Sequence, residues 1–270
     1  MSRWYATALF VTLATMWGLS FPAISVGLEY IPPLLFAAFR YDTAAVLLLG
    51  YAAVSTDGWR PVGRNDRHAI VFGGLFLVAG NGLLFIGQQT VPSGVAAILQ
   101  AMVPIATALW ALGLLGERLS GVGSVGVALG FLGVALVVQP NPDSLLAGDT
   151  AGRLIILGQV ASVSLGSVLV DRARPSMERV PMTGWAMLVG GLVLHLLSLA
   201  AGEPVPASIA EPAAVGAVAY LVPVVATVVG VAVLGETVGI LSLVGFVVVF
   251  LGFALLKRRA LVDMVGAGVS

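Results

Sequence analysis

Cysteine is absent from this chain, and charged residues make up only 10% of its 270 positions. Without cysteine there is no disulfide framework, no thiolate metal ligand and no cysteine nucleophile. The chain has only two histidines, His68 and His195, which form no recognisable metal-ligand pattern. We therefore expect neither a metal nor another cofactor. A soluble domain carries about 25% charged residues, so this chain has too few to cover a water-exposed surface.

The chain is instead rich in apolar residues. They account for 59% of the chain, and the mean hydropathy is +1.05. The formal net charge is zero, so no basic field is available to attract nucleic acid. This composition predicts an all-α polytopic membrane protein whose solvent is the lipid bilayer.

Segments without charge predict nine membrane spans, since a helix needs about 20 apolar residues to cross the hydrocarbon core. Arg40 and Asp42 are charged exceptions inside the second span. The predicted spans are residues 4–28, 34–54, 69–87, 94–116, 119–142, 154–170, 180–202, 212–235 and 237–256.

Arginine in the loops predicts the orientation. Positive charges follow spans 2, 4 and 6, whereas the loop after span 7 contains Glu203 and Glu211 and no positive charge. By the positive-inside rule the N-terminus is cytoplasmic, in a multi-pass protein of the plasma membrane. Nine spans would, however, place the cluster 257–259 on the non-cytoplasmic side, against the same rule.

An internal repeat is visible in two segments. Residues 103–117 match residues 222–236, with Pro104 aligned to Pro223 and Glu117 to Glu236. The same offset of 119 carries residues 131–133 onto 250–252. Proline, glycine and glutamate falling in register indicate two related halves.

Three features resemble the EamA-type members of the drug/metabolite transporter superfamily. They are the segment Trp17 to Phe21, Arg40, and the two helices that contain the Pro…Leu-Gly-Glu pattern. The resemblance implies two inverted five-helix repeats around a central substrate cavity. It also implies a secondary transporter that works by alternating access, most simply an exporter.

One helix is missing from this pattern. The first spans of the two halves are offset by about 146 residues, but the proline motifs by only 119. The shortfall of 27 residues equals one helix and a turn. We therefore expect a five-span repeat at residues 1–140 and a four-span repeat at residues 151–259, with a homodimer as one way to cover the gap. Insertion against the charge bias, a segment that does not cross and a deletion in this sequence are all open explanations.

Polar side chains inside spans are the candidate substrate-binding residues, because they are costly in hydrocarbon. Arg40 would contact a substrate anion, or else snorkel or pair with an acid; Asp42 should face elsewhere. Polar stripes on spans 3 and 4 would line the cavity or make interhelical hydrogen bonds. The resemblance favours Trp17 and Phe21 as an aromatic wall. The full predicted substrate-binding set is Trp17, Phe21, Arg40, Asn81, Phe85, Gln88, Gln100, Gln159 and Tyr220.

Two prolines and one histidine complete the set of candidates. Pro104 and Pro223 fall mid-helix, where each would act as a hinge or as a static bend. His195 is interpreted as an interhelical hydrogen-bond donor in preference to a proton relay.

The chain shows no catalytic constellation and no Walker sequence, so it is not expected to be an enzyme or an ATP-driven pump. We expect a transporter, with efflux as its direction, for small organic metabolites, amino acids or drugs. The alternative is a degenerate membrane protein with a broken repeat that no longer transports.

Overall fold

A computed structural model describes Gly18 and residues 20–116, 120–138 and 148–219. These residues are almost entirely helical. Trp17, Tyr220, Pro223, most of predicted span 8, all of span 9 and the cluster 257–259 lie outside the described residues. The count of nine spans therefore stays a prediction.

Eight helices follow one another in the described residues. They are α1 (residues 20–28), α2 (Pro33–Ser55), α3 (Arg64–Gly87), α4 (Ser93–Leu114), α5 (Gly121–Val138), α6 (Gly148–Ala173), α7 (Arg179–Ala200) and α8 (Pro212–Ala219). Five of them, α2, α3, α4, α6 and α7, are long and apolar enough to cross a membrane. The all-helical membrane class predicted from composition is confirmed.

Helix α3 changes its winding along its length. Regular α-helix over Arg64–Phe72 gives way to a π-helical turn at Gly73–Val78 and a 3₁₀ turn at Ala79–Asn81. The hydroxyl of Ser162 on α6 donates a 3.0 Å hydrogen bond to the carbonyl oxygen of Phe76 in the π-helical turn. The π-helical turn is thus hydrogen-bonded to a neighbouring helix, and the 3₁₀ turn that follows it ends at Asn81.

Helix α4 is built from two segments, Ser93–Gln100 and Val103–Leu114, separated by a turn at Ala101 and Met102. Pro104 was expected in mid-helix, where it would remove a hydrogen bond. It lies instead in the first turn of the second segment, where a missing N–H leaves no intrahelical acceptor unsatisfied. The break therefore precedes the proline.

Helices α2 and α7 form the most extensive helix pair in the described residues and run antiparallel. The beginning of α2 meets Glu203 beyond the end of α7, Asp42 meets His195 in the middle region, and Trp59 beyond α2 meets Trp185 near the beginning of α7. Helix α3 packs beside α7 and α6. This pair is the axis of the described bundle.

The connection between α2 and α4 is longer than the connection between α7 and α8. Between α2 and α4 the chain forms the whole of α3, whereas residues 201–211 between α7 and α8 contain only a short 3₁₀ turn at Ala207–Ala210. The beginnings of α2 and α7 are 146 residues apart (179 − 33), and those of α4 and α8 are 119 apart (212 − 93). No helix equivalent to α3 is present between α7 and α8 in this fully described segment.

The interior is apolar and tightly packed. Phe36, Phe85, Leu99, Ile105 and Ile156 are among its fully buried side chains. Large apolar side chains also point outward from α2 and α7, as suits helices in contact with lipid. On α2 and α7 these are Val46, Leu47, Tyr51, Val54, Val180, Leu192, Leu196, Leu197 and Leu199.

Candidate functional site

A chain of polar side chains joins three helices at the level of Asn81. The Gln159 amide nitrogen on α6 donates a 2.9 Å hydrogen bond to Oδ1 of Asn81 on α3. Asn81 in turn donates through Nδ2 to the hydroxyl of Tyr41 on α2. Gln159 is fully buried. The three side chains form a polar layer across an otherwise apolar interior.

A second polar group lies two turns further along α3. The amide nitrogen of Gln88 donates to the carbonyl oxygen of Phe21 at 3.2 Å and reaches Ser25 at 3.5 Å. The hydroxyl of Ser25 pairs with that of Ser93 at the beginning of α4, at 3.2 Å. This group connects α1, α3 and α4.

Arg40 lies over an aromatic surface formed by one ring on α2 and one on α3. Its guanidinium carbon lies 5.7 Å from the ring centre of Phe36 and 5.3 Å from that of Phe85. The two rings meet edge to face with centres 5.3 Å apart. A cation above aromatic rings is stabilised by their quadrupoles. The charge is half-buried on the side of α2 that faces α3.

Two buried amide oxygens have hydrogen-bonding capacity left over. Oε1 of Gln88 and Oε1 of Gln159 have no hydrogen-bond partner among the described residues. The side chains are 5% and 0% exposed. An unsatisfied buried acceptor is costly, so both are suited to accept a hydrogen bond from a bound molecule.

Six of the nine predicted substrate-binding residues are thus brought together around α3. These are Phe21, Arg40, Asn81, Phe85, Gln88 and Gln159. Gln100 is half-buried at the end of the first segment of α4. Trp17 and Tyr220 lie outside the described residues, as does the hinge candidate Pro223. Whether any of them binds substrate stays a prediction.

A cavity of about 740 Å³ lies elsewhere, where α3 begins and where α4 and α6 end. Its lining includes Asn65, His68, Phe72 and Arg172. None of the predicted substrate-binding residues is in its wall. The buried, hydrogen-bonded side chains of the polar layer therefore lie outside this cavity.

Carboxylates accept hydrogen bonds near both ends of the α2–α7 pair, one from a residue of α3 and one from a residue after α7. At one end Asp66, 3% exposed, accepts hydrogen bonds from the backbone of Ser176, Met177 and Gly63 and from the Ser176 hydroxyl. Nearby, the rings of Trp59 and Trp185 stack. The loop before α7 is therefore bound to the beginning of α3.

At the other end Glu203 caps α2. Its carboxylate accepts hydrogen bonds from the backbone N–H groups of Leu34 and Leu35 at 3.1 and 2.8 Å, and from the Ser198 hydroxyl at 2.7 Å. Pro32 itself offers no capping side chain. Gly202, with φ of +70°, ends α7 in a left-handed turn that places Glu203 there.

The pairing of Asp42 with His195 was not predicted from the sequence. Nε2 of His195 lies 2.7 Å from Oδ2 of Asp42, and Gly191 leaves room for that carboxylate because a Cβ there would clash with Oδ1. His195 is an interhelical partner, as interpreted. Each of the two residues could be assigned to its own helix from the sequence, but only the antiparallel contact of α2 with α7 brings them together.

The long apolar helices define a multi-pass membrane protein, and a polar layer is buried between them. The EamA-like transporter family matches residues 4–139, which is 136 of 270 residues. The chain belongs to the EamA-like transporter family.

Similar proteins from other organisms are also named as transporters. The chain is 34% identical over 202 residues to the uncharacterized inner membrane transporter YedA of Escherichia coli K12, covering 74% of this chain and 63% of that protein. It is 28% identical to an uncharacterized transporter of Synechocystis, covering 68% and 60%. It is 27% identical to the uncharacterized transporter YvbV of Bacillus subtilis, covering 70% and 61%. The match thus spans less than two thirds of these relatives.

A solved crystal structure has the same fold. The two superpose with a TM-score of 0.59 at 19% identity, over 96% of this chain and 99% of the other.

Proposed function

We propose that this protein is a secondary transporter that exports small organic metabolites, amino acids or drugs across the plasma membrane by alternating access, with a cytoplasmic N-terminus. The observation that carries the proposal is the polar layer of Gln159, Asn81 and Tyr41 beside Arg40, inside helices that are otherwise apolar. Membership of the EamA-like transporter family and the names of the relatives support it.

The chemistry of the layer suits a solute with a hydrogen-bond donor and a negative group. The free Oε1 atoms of Gln88 and Gln159 accept hydrogen bonds, and the Arg40 guanidinium attracts an anion. The Phe36 and Phe85 rings offer an apolar wall beside them. Amino acids, amphipathic metabolites and many drugs carry such combinations.

Alternating access requires that the ends of the bundle open in turn. A carboxylate makes hydrogen bonds near each end of the α2–α7 pair: Asp66 joins α3 to the loop before α7, and Glu203 joins the end of α7 to α2. In the proposed mechanism, the hydrogen bonds at each end break in turn as that end opens. The break in α4 before Pro104 is the proposed hinge.

Reconstitution in liposomes tests the proposal. The purified full chain is assayed for counterflow of a panel of radiolabelled amino acids, organic anions and cationic drugs. We expect at least one compound to be exchanged, and Arg40→Ala to lower its flux at least about tenfold because a charge-assisted contact is lost. Arg64→Ala, at an exposed arginine where α3 begins, is the matched control and should keep the flux.

A chain that folds but moves none of the compounds would favour the second candidate, a membrane protein that no longer transports. The observation in favour of that candidate is the short connection between α7 and α8, where no counterpart of α3 is present. Flux that is unchanged in Arg40→Ala for every transported compound would remove Arg40 from the site.

A further inference from the structure

We infer that the cavity between the beginning of α3 and the ends of α4 and α6 binds the phosphate-bearing headgroup of an anionic phospholipid. The cavity has a volume of about 740 Å³, and cavities that hold small-molecule ligands typically measure about 300–1,000 Å³. The inference does not depend on the proposed transport function, because none of the predicted substrate-binding residues lines this cavity.

Three helix ends form the cavity. Asn65, His68 and Phe72 are spaced i, i+3 and i+7, so they lie on one face of α3. Residues 169 and 171–174 at the end of α6 form a second side, and Leu115 directly after α4 forms a third. The beginning of α3 and the second segment of α4 both pack against α6. The cavity is therefore a cleft at one end of the bundle, with α6 between the other two helices.

Polar and apolar lining residues lie at different depths in this cleft. Arg172 is the second-last residue of α6, and Arg174 directly follows that helix. Phe72 lies eight residues, or about 12 Å, along α3 from its beginning, and Leu169 lies about 6 Å before the end of α6. A ligand that fits both depths is charged at the membrane surface and apolar towards the hydrocarbon. A phospholipid has this profile, whereas a soluble anion does not.

Two arginines supply the positive charge of the cleft. Arg172 donates one of its five N–H groups to the carbonyl oxygen of Leu114 at 3.0 Å, which holds its guanidinium between α6 and α4. Among the residues that the structure describes, neither Arg172 nor Arg174 forms an ion pair, although Asp171 also lines the cleft. Two arginines and one aspartate leave one net positive charge. A guanidinium binds phosphate oxygens through parallel N–H donors, so the lining suits a phosphate group.

The backbone at Arg174 points to a role for its side chain. Its φ is +50°, and in the described part of the chain no other residue except glycine has a positive φ. Its N–H donates to the carbonyl oxygen of Asp171 and so closes the end of α6. The helices α4 and α7 are followed by Gly116 and Gly202 in the same left-handed region, where glycine is free of strain. An arginine there is strained, and a ligand for its guanidinium would offset that strain.

This end of the bundle also has the features of a membrane surface. The rings of Trp59 and Trp185 stack, and the guanidinium carbon of Arg60 lies 4.9 Å from the ring centre of Trp59. Arg64 and Arg67 are exposed in the first turn of α3. Tryptophan is enriched at the membrane–water interface, and basic clusters beside a membrane attract anionic headgroups. The nearest source of phosphate for the cleft is therefore the lipid leaflet itself.

Native mass spectrometry of the delipidated full chain in detergent tests the inference. Affinities are measured for phosphatidylglycerol, for phosphatidylcholine with the same acyl chains, and for soluble glycerol 3-phosphate. We expect phosphatidylglycerol to bind at least about tenfold more tightly than phosphatidylcholine, because the choline cation opposes the positive cleft. Glycerol 3-phosphate should bind at least about tenfold more weakly than phosphatidylglycerol, since it has no acyl chains to bury.

Three variants locate the binding. Arg172→Gln and Arg174→Gly should each lower the affinity for phosphatidylglycerol at least about tenfold, because a charge-assisted contact with phosphate is lost. Arg174→Gly also removes the strained conformation, so its thermal unfolding midpoint without added lipid should be unchanged or higher. Arg64→Ala removes an exposed positive charge at the same end of the bundle but outside the cleft. This matched control should keep the affinity.

Equal affinity of the parent for the two lipids overturns the inference, and this result needs no variant. Binding of phosphatidylglycerol that Arg172→Gln leaves unchanged, or lowers no more than Arg64→Ala does, also overturns it. Glycerol 3-phosphate bound as tightly as phosphatidylglycerol overturns it as well, because the cleft would then serve a soluble phosphate ester. None of these measurements involves transport, so the proposed function is tested separately.

Discussion

Hydrogen-bonded carboxylates lie near both ends of the α2–α7 pair, but they differ in burial. Near each end a carboxylate accepts hydrogen bonds from the backbone of another segment: Asp66 on α3 binds the loop before α7, and Glu203 after α7 binds the beginning of α2. Asp66 does so while buried, with donors from three residues and a stacked Trp59–Trp185 pair beside it. Glu203 does so while half-buried, with Leu34, Leu35 and Ser198 as donors.

This difference indicates which end opens more easily. A carboxylate that is already partly hydrated loses less when its hydrogen bonds break, because water replaces the donors. The Glu203 end is therefore expected to open at lower cost than the Asp66 end. With the proposed orientation, the easier opening faces the non-cytoplasmic side.

Removing the Asp66 carboxylate is expected to lower the stability most. Asp66→Ala should destabilise the protein by about 3 kcal/mol, because charge-assisted hydrogen bonds are lost and buried N–H groups are left unsatisfied. Thermal unfolding in detergent measures this, with Asp57→Ala at an exposed acid as the control. A loss no larger than that of the control would show that Asp66 does not hold this end.

Removing the Glu203 carboxylate should have a smaller effect. Glu203→Ala uncaps α2, and loss of a capping side chain costs about 0.5–2 kcal/mol. Glu211→Ala, at an exposed acid eight residues later, is the matched control. If Glu203→Ala proves more destabilising than Asp66→Ala, the proposed order of the two ends is reversed.

The turn that places Glu203 gives the smallest expected change. Gly202 has a φ of +70°, and an L-residue in the left-handed region costs about 1 kcal/mol or slightly more. Gly202→Ala should therefore destabilise modestly in the same unfolding assay. Gly58→Ala, at a glycine with open space around it and no positive φ, is the control. Equal stability of the two variants would contradict a cost for alanine in the left-handed conformation at position 202.

Much of the described helical bundle was predictable from charge-free segments, because hydrocarbon tolerates few charges and fixes span length. Asn81, Gln88 and Gln159 could be found for the same reason, as polar groups inside apolar helices. Their partners could not. Asp42 and His195 are 153 positions apart, and Glu203 caps a helix 169 positions away. Such pairs depend on how helices are placed in three dimensions, which helical periodicity does not report.

The break in α4 shows a second limit. A proline in a helical pattern predicts a bend, but the structure interrupts the helix at Ala101 and Met102 and restarts it at Val103. The proline then occupies a first-turn position that it tolerates. The sequence indicates that a helix is disturbed, while packing decides where.

The most direct test of alternating access is a reversible disulfide across the Glu203 end. The chain has no cysteine, so Tyr30→Cys with Ser208→Cys introduces the only pair, where the Ser208 hydroxyl lies 2.8 Å from the Tyr30 carbonyl oxygen. Counterflow is measured in liposomes after oxidation and again after reduction, with each single-cysteine variant as a control. We expect the oxidised pair to lose transport and the reductant to restore it. Undiminished counterflow with the disulfide formed would contradict opening at this end.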